Sequence, residues 1–206
     1  MSRTILFIDG ENFLHKIEEV LEKESVRFHK DEIVNINFRK LFESSLKGMR
    51  IINNLFYVAK IHLHPDTKKK SEELIRMQRK LRNNLVNLGY EFIIAGNVRA
   101  QKFGIKTIFR EKGVDVKIAV DMVSKACDKK MDTAILCSSD SDLQPAIAEL
   151  KKRNAEVIYL GFEISPNKGL TYTTDRTILL RNSEILEVFN SRRVIKKPRM
   201  INIRGK

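Results

Sequence analysis

Residues 4–24 read TILFIDGENFLHKIEEVLEKE, and this stretch decides which kind of fold the chain can adopt. Thr4–Ile8 is a β-rich apolar run that stops at Asp9-Gly10, a turn-forming pair. Apolar residues then recur at positions 13, 14, 17, 20 and 21, which is the spacing of one helix face. The stretch therefore predicts a buried strand, a tight turn and an amphipathic helix in direct succession.

The rest of the chain repeats this alternation of strand and helix patterns. Strand patterns cover residues 50–63, 90–96, 133–137 and 156–161, with a further short one at 105–110, and helix patterns cover residues 37–46, 68–88, 114–129 and 143–153. Nearer the C-terminus, the sequence predicts a loop over 164–174, a short helix over 175–180 and an edge strand over 184–188. Alternating strands and helices predict an α/β fold with a mostly parallel central sheet and helices on both faces.

The charge of the chain is large and unevenly distributed. A length of 206 residues fits one domain, which we predict to span 1–189, followed by a flexible basic arm at 190–206. Of the net charge of +13, residues 60–110 carry +8 and the arm +7, whereas residues 111–150 carry −3. This pattern favours a polyanionic partner held near a carboxylate cluster, with a solvated basic face as the alternative.

Several kinds of protein are disfavoured by what the sequence lacks. It has no G-x-G-x-x-G and no G-x-x-x-x-G-K-[ST], which argues against a dinucleotide enzyme and a P-loop ATPase. No G-x-S-x-G motif marks a serine hydrolase. No apolar run approaches the length of a membrane span, so we expect no membrane partner and a cytoplasmic location.

Aspartates follow two of the predicted strands directly. Asp9 follows the first, and Asp140 and Asp142 follow the run TAILC at 133–137. If these strands are neighbours, their carboxylates meet at one edge of the sheet, and a proton or a cation must offset the repulsion. Oxygen ligands favour Mg²⁺ or Mn²⁺ over zinc. The alternative is that Asp9 ends a strand in a turn and Asp142 caps the next helix.

Three further polar residues belong to this candidate site. On the helix predicted from Val114, Asp115 falls on the apolar face, where a carboxylate needs a cation or a place at the helix mouth. Asp121 falls on the more polar face, and lysines four residues to either side offer it ordinary ion pairs. Asn12 could orient Asp9, bind water or cap the first helix.

Three separated segments resemble the NYN family of PIN-like nuclease domains. They are FIDGEN at 7–12, KGVDV at 112–116 running into AVDM at 119–122, and SSDSDL at 138–143. Their order and spacing fit the family across roughly residues 3–162. The resemblance implies a Rossmann-like, PIN-type fold and a metal-dependent ribonuclease, with Asp9, Asp115, Asp121 and Asp140 as the acidic set and Asp142 and Asn12 in support.

The leading hypothesis is therefore a ribonuclease that uses Mg²⁺ or Mn²⁺. Asp9 and Asp140 would ligate the metal, and Asp115 and Asp121 would complete the shell directly or through water. Basic side chains would hold the phosphate backbone of single-stranded or structured RNA: Lys68, Lys69, Lys70, Arg76, Arg79, Lys80, Arg82, Lys102, Arg110, Arg192, Arg193, Lys196 and Lys197. Two alternatives stay open, a non-catalytic RNA-binding module and a haloacid-dehalogenase-type phosphatase. A homodimer is compatible with any of the three.

Overall fold

The computed structural model of the protein describes residues 2–103 and 106–195. Within this range, the side chains of Asp66, residues 99–103, residues 106–108, Arg110 and residues 192–195 are not described. The seven strands of the described range are β1 (Thr4–Asp9), β2 (Ile51–Lys60), β3 (Glu91–Phe103), β4 (Lys106–Lys112), β5 (Thr133–Cys137), β6 (Glu156–Phe162) and β7 (Arg176–Leu180). The α-helices of that range are α1 (Gly10–Lys23), α2 (Lys30–Ile33), α3 (Phe38–Ser45), α4 (Lys68–Asn87), α5 (Val114–Cys127), α6 (Gln144–Lys152), α7 (Lys168–Thr173) and α8 (Asn182–Ile195).

The described strands form one sheet in the order β4-β3-β2-β1-β5-β6-β7. All neighbouring pairs are parallel except β3 and β4, which form an antiparallel hairpin. All six residues of β1 and all five of β5 are buried, as expected for central strands covered on both faces. The predicted α/β class with a mostly parallel sheet is confirmed, and β4 is its antiparallel exception.

Alternation along the strands divides the apolar core into two clusters, one on each face of the sheet. Leu6 and Ile8 of β1 pack with residues of α1, α3, α4 and α8, whereas Ile5 and Phe7 pack with residues of α5 and α6. On the first face, Phe13 of α1 contacts four aromatic rings, which lie 5.4–6.3 Å from it between centroids. The two faces thus hold α1 and α5 at opposite sides of β1.

Three predictions near the C-terminus were wrong. The predicted loop at 164–174 contains α7, the predicted short helix at 175–180 is strand β7, and the predicted edge strand at 184–188 lies inside helix α8. Arg176–Leu180 pairs in parallel with β6, so tertiary pairing decides its conformation. Ile185, Val188 and Phe189 are buried at spacings of three and four, which is helical periodicity.

The predicted domain boundary at 189 falls inside a regular element. Helix α8 continues to Ile195, so the first six residues of the predicted arm are helical. Residues 196–206 lie outside the described residues, and with them the rest of that prediction. In the described part of the chain, none of the helices combines the length and the apolar character that crossing a membrane requires.

Candidate active site

The candidate site lies at the point in the sheet where the strand order reverses direction. Strand β1 pairs with β2 on one side and with β5 on the other, and α1 and α5 approach from opposite faces. Ile8 is opposite Cys137, so Asp9 at the end of β1 comes next to Ser138 after β5. In open α/β sheets, a crevice forms outside the carboxyl ends of the strands at such a switch point.

Asp9 is a buried carboxylate that the first turn of α1 holds in place. The residue is 4% exposed, and its side chain accepts hydrogen bonds from the Asn12 backbone N–H at 3.2 Å and from Asn12 Nδ2 at 2.6 Å. Ser138 Oγ donates a third at 3.2 Å. Burial raises the pKa of Asp9, and these donors partly offset the rise because they favour the charged form.

The turn after Asp9 requires glycine for a reason of space. A Cβ at Gly10 would lie 2.6 Å from the carbonyl oxygen of Tyr57 and 2.4 Å from the Phe56 ring. Only the absence of a side chain lets α1 begin this close to β2. The Asp9-Gly10 pair of the sequence is therefore dictated by the approach of helix to sheet.

Asp140 is held by the loop that follows β5. Its backbone N–H donates to Ser138 Oγ at 3.1 Å, and its Oδ1 accepts from the Asp142 backbone N–H at 2.9 Å. Ser139 Oγ forms a 2.6 Å hydrogen bond with Asn12 Oδ1. Asn12 thus bridges the two strand ends, since its amide nitrogen bonds Asp9 and its amide oxygen bonds Ser139.

A cleft of about 520 Å³ opens at this edge of the sheet. It is lined by Asp9, Glu11, Asn12, His15, Glu111, Lys112, Gly113, Asp115, Val116 and Asp140. Four of the six predicted catalytic residues are in this set: Asp9, Asn12, Asp115 and Asp140. The cleft therefore brings together carboxylates from β1, α5 and the loop after β5.

Asp121 and Asp142 lie apart from the other four predicted site residues. Neither lines the cleft. Asp121 accepts a 3.0 Å hydrogen bond from the Tyr57 hydroxyl and a 2.7 Å one from Lys117 Nζ, four residues earlier on α5. Asp142 is exposed, and its backbone N–H supports Asp140. Asp121 thereby joins α5 to β2, and its predicted role as a metal ligand stays a prediction.

Burial and the nearby charge of Asp121 raise the pKa of Tyr57 above its ordinary value. Tyr57 is fully buried and stacks with Phe7, with ring centroids 6.4 Å apart. It therefore stays a neutral phenol that donates to Asp121.

Two glutamates of the cleft were missed by the sequence analysis. Glu111 on β4 forms a hydrogen bond with the Glu11 carboxylate of α1. Burial, that hydrogen bond and the charges of Glu11 and Asp9 raise the pKa of Glu111 from 4.5 to about 9, against the lowering effect of the Ala59 backbone N–H. Glu111 is consequently protonated at neutral pH in the absence of a cation.

The hairpin that delivers Glu111 depends on a second glycine. Gly96 of β3 has a φ of +69°, and a Cβ there would collide with the Lys112 carbonyl oxygen. This close approach brings the end of β4 back toward β2 and α1. No local sequence signal indicated the contact, because it depends on pairing between β3 and β4.

The carboxylates fit a hard divalent cation by their chemistry. Their oxygens are the ligands that Mg²⁺ and Mn²⁺ prefer, and the raised pKa of Glu111 reflects its burial and the nearby negative charges of Glu11 and Asp9, which a cation would offset. As the side chains of the described residues stand, no three acidic, histidine or cysteine groups converge closely enough to hold a metal ion. The donor set fits the ion, and side-chain adjustment would have to accompany binding.

The predicted RNA-binding residues fall into three groups. Lys68, Lys69, Lys70, Arg79 and Arg82 are exposed on α4, whereas Arg76 and Lys80 contact Asp31 at 3.8 and 2.7 Å. Lys70 Nζ lies 5.2 Å from the centroid of the Phe109 ring on β4, two residues from Glu111. The side chains of Lys102, Arg110, Arg192 and Arg193 are not described, and Lys196 and Lys197 lie outside the described residues.

Comparison with known proteins bears on the fold and the family of the chain. A crystal structure of a protein of unknown function from Vibrio parahaemolyticus is similar, with a TM-score of 0.59 and 17% identity over 87% of this chain and 93% of that one. At that identity, the likeness concerns the fold alone. No curated protein matches the chain significantly. The family model of the NYN domain matches residues 3–181, and the chain therefore belongs to the NYN domain family.

Proposed function

We propose that this NYN domain is a metal-dependent ribonuclease that hydrolyses RNA phosphodiester bonds in the acidic cleft. The observation that carries the proposal is the meeting of Asp9, Asp115 and Asp140 in one cleft at the switch point of the sheet. The NYN domain family is a family of PIN-like nucleases, which supports a nuclease role and a PIN-type arrangement of the sheet.

Within this proposal, Asp9, Asp115 and Asp140 would hold Mg²⁺ or Mn²⁺. The cation supplies Lewis-acid chemistry, which activates water and offsets the charge that develops on the phosphate. The protein's own part is positional. Asn12 and Ser138 orient Asp9 and favour its charged form by donating hydrogen bonds to it, and the Ser138 hydroxyl also accepts a hydrogen bond from the backbone N–H of Asp140.

The reaction adds water to phosphorus and breaks the bond between phosphorus and a ribose oxygen, which takes up a proton as it leaves. Exposed lysines at the start of α4 lie on the same side as the Phe109–Glu111 segment of β4, as the contact of Lys70 with Phe109 indicates. They would hold phosphates of the chain next to the cleft.

The test is RNA cleavage by Asp140→Asn. The substitution keeps an oxygen that can accept from the Asp142 N–H and removes the charge. We expect cleavage in Mg²⁺ or Mn²⁺ to fall at least ~100-fold while RNA affinity is unchanged or higher. The matched control is Asp128→Asn, which removes an exposed carboxylate at the far end of α5. Full cleavage by Asp140→Asn would refute the assignment of the site.

A non-catalytic RNA-binding module is the second candidate. It is favoured by the spacing of the acidic groups, which do not converge on a metal site as they stand in the described residues. Protein that shifts RNA in a gel but cuts none of several RNAs in either metal would establish this alternative. The phosphatase alternative predicts instead the release of inorganic phosphate from monoesters without chain cleavage.

A further inference from the structure

Asn167 makes contacts with the Asp140 loop that the proposed reaction has not yet used. It lies between β6 and α7, and its side-chain Nδ2 donates to the Ser139 carbonyl oxygen at 2.9 Å and to Ser141 Oγ at 3.0 Å. These two residues flank Asp140. A single amide group thus spans the residue that carries the candidate metal ligand.

The orientation of this amide is fixed from the other side. Asn167 Oδ1 accepts from the Leu170 backbone N–H at 2.9 Å and caps α7, and the Asn167 backbone N–H donates to the Tyr159 hydroxyl at 3.0 Å. Leu170 and Tyr159 are buried in the core. Because the oxygen is used for the cap, the nitrogen must face the Asp140 loop.

The bond to Ser139 has a specific consequence for the backbone. The Ser139 carbonyl and the Asp140 N–H belong to one peptide group, whose oxygen accepts from Asn167 and whose N–H donates to Ser138 Oγ. Hydrogen bonds at both ends of this planar peptide group restrict its rotation. Asn167 and Ser138 together therefore set the direction in which the Asp140 side chain projects from the backbone.

We propose that Asn167 is a positioning residue that holds the Ser139–Asp140 peptide so that the Asp140 carboxylate lines the same cleft as Asp9. The proposal rests on the proposed function of the cleft. Removing a residue that orients a metal ligand typically lowers metal affinity or activity by about 10–100-fold.

The variant that isolates this role is Asn167→Ser. Serine retains a good cap for α7 but is too short to reach both Ser139 and Ser141. The matched control is Asn37→Ser, because Asn37 caps α3 through the same kind of bond, to the Lys40 N–H at 3.0 Å, on an element that does not line the cleft.

Three measurements are made on the full chain: Mn²⁺ affinity of the metal-free protein, amide hydrogen exchange at Asp140 and Asp142 without metal, and kcat and KM for RNA. For Asn167→Ser we expect ~10-fold weaker Mn²⁺ binding and ~10-fold lower kcat, with KM changed less than ~2-fold. Exchange at Asp140 and Asp142 should be faster, whereas Asn37→Ser should match the wild type in all three.

Opposite results separate the two proposals. If wild-type protein binds Mn²⁺ or cuts RNA and Asn167→Ser does so equally well per folded molecule, the positioning role is wrong and Asn167 is a helix cap. If Asn167→Ser loses only thermal stability, the same conclusion follows. If the wild type neither binds Mn²⁺ nor cuts RNA, the proposed function fails, and the positioning role fails with it.

Discussion

Replacing Glu111 with glutamine should stabilise the protein, and only at neutral to alkaline pH. The Gln side chain can donate to Glu11 where the protonated acid donates, and its oxygen can still accept from the Ala59 N–H. The substitution therefore keeps the contacts of the protonated acid and removes its titration. The experiment is done in EDTA, because a bound cation would lower the pKa of Glu111.

The sign and size of the effect follow from the pKa of Glu111, which is raised from 4.5 to about 9. Below pH 4.5, the pKa of Glu111 in the unfolded chain, the wild type and the variant should be equally stable. As the pH rises from 4.5 toward 9, the unfolded chain releases the proton while the folded protein keeps it, so wild-type stability falls. At ~1.4 kcal/mol per pKa unit the ceiling is about 6 kcal/mol, and solvent access to this half-buried group reduces it to about 1–3 kcal/mol.

The assay is thermal unfolding of the wild type and Glu111→Gln at pH 5 and pH 8.5. We expect the variant to unfold about 2–12 °C higher at pH 8.5 and within ~1 °C of the wild type at pH 5. The control is Glu149→Gln, because Arg153 and Lys152 lower the pKa of Glu149. Replacing this carboxylate should therefore not raise the unfolding temperature at pH 8.5. An equal rise in unfolding temperature at both pH values, or no rise at pH 8.5, would refute the description of Glu111 as a buried acid close to other carboxylates.

Two further predictions concern residues that do not line the cleft. Tyr57→Phe removes the hydrogen bond to Asp121 and should destabilise the protein by about 1–3 kcal/mol in thermal unfolding, with RNA cleavage per folded molecule unchanged; a large loss of cleavage would mean that Asp121 acts in the reaction as predicted from the sequence. Lys70→Glu should weaken RNA binding and reduce the slope of log affinity against log salt by about one, and an unchanged slope would remove α4 from the RNA surface. Its matched control is Lys130→Glu, since Lys130 is exposed beyond the far end of α5.

The central part of the fold could be predicted because its signals are local. Buried strands such as Thr133–Cys137 are continuous apolar runs, and the aspartates that follow them sit at the strand ends by covalent connection alone. Parallel pairing of β1 with β5 then places Asp9 near Asp140. Asp115 also lines the cleft, and the helix that carries it begins at Val114, where its sequence periodicity begins.

The parts that could not be predicted depend on contacts between distant segments. Glu111 reaches Glu11 through the antiparallel hairpin of β3 and β4, and nothing near residue 111 marks that pairing. Asp121 was grouped with the other aspartates by resemblance, and the alternative of an i,i+4 ion pair with a lysine is what the Lys117 contact shows. The hydrogen bond from Tyr57 could not be predicted, because it depends on how α5 packs on β2. Residues 175–180 have no strong periodicity of their own, and β6 imposes the strand.

The most direct test of the acidic cleft as a metal-dependent site is a crystal structure of the protein grown with Mn²⁺, with the metal located by its anomalous scattering. We expect a peak in the cleft bonded to carboxylate oxygens of Asp9 and Asp140, with the Glu11–Glu111 hydrogen bond altered, and no such peak in crystals of Asp140→Asn. A cleft that stays empty at millimolar Mn²⁺, or a peak only outside it, would contradict a metal-dependent site in the cleft.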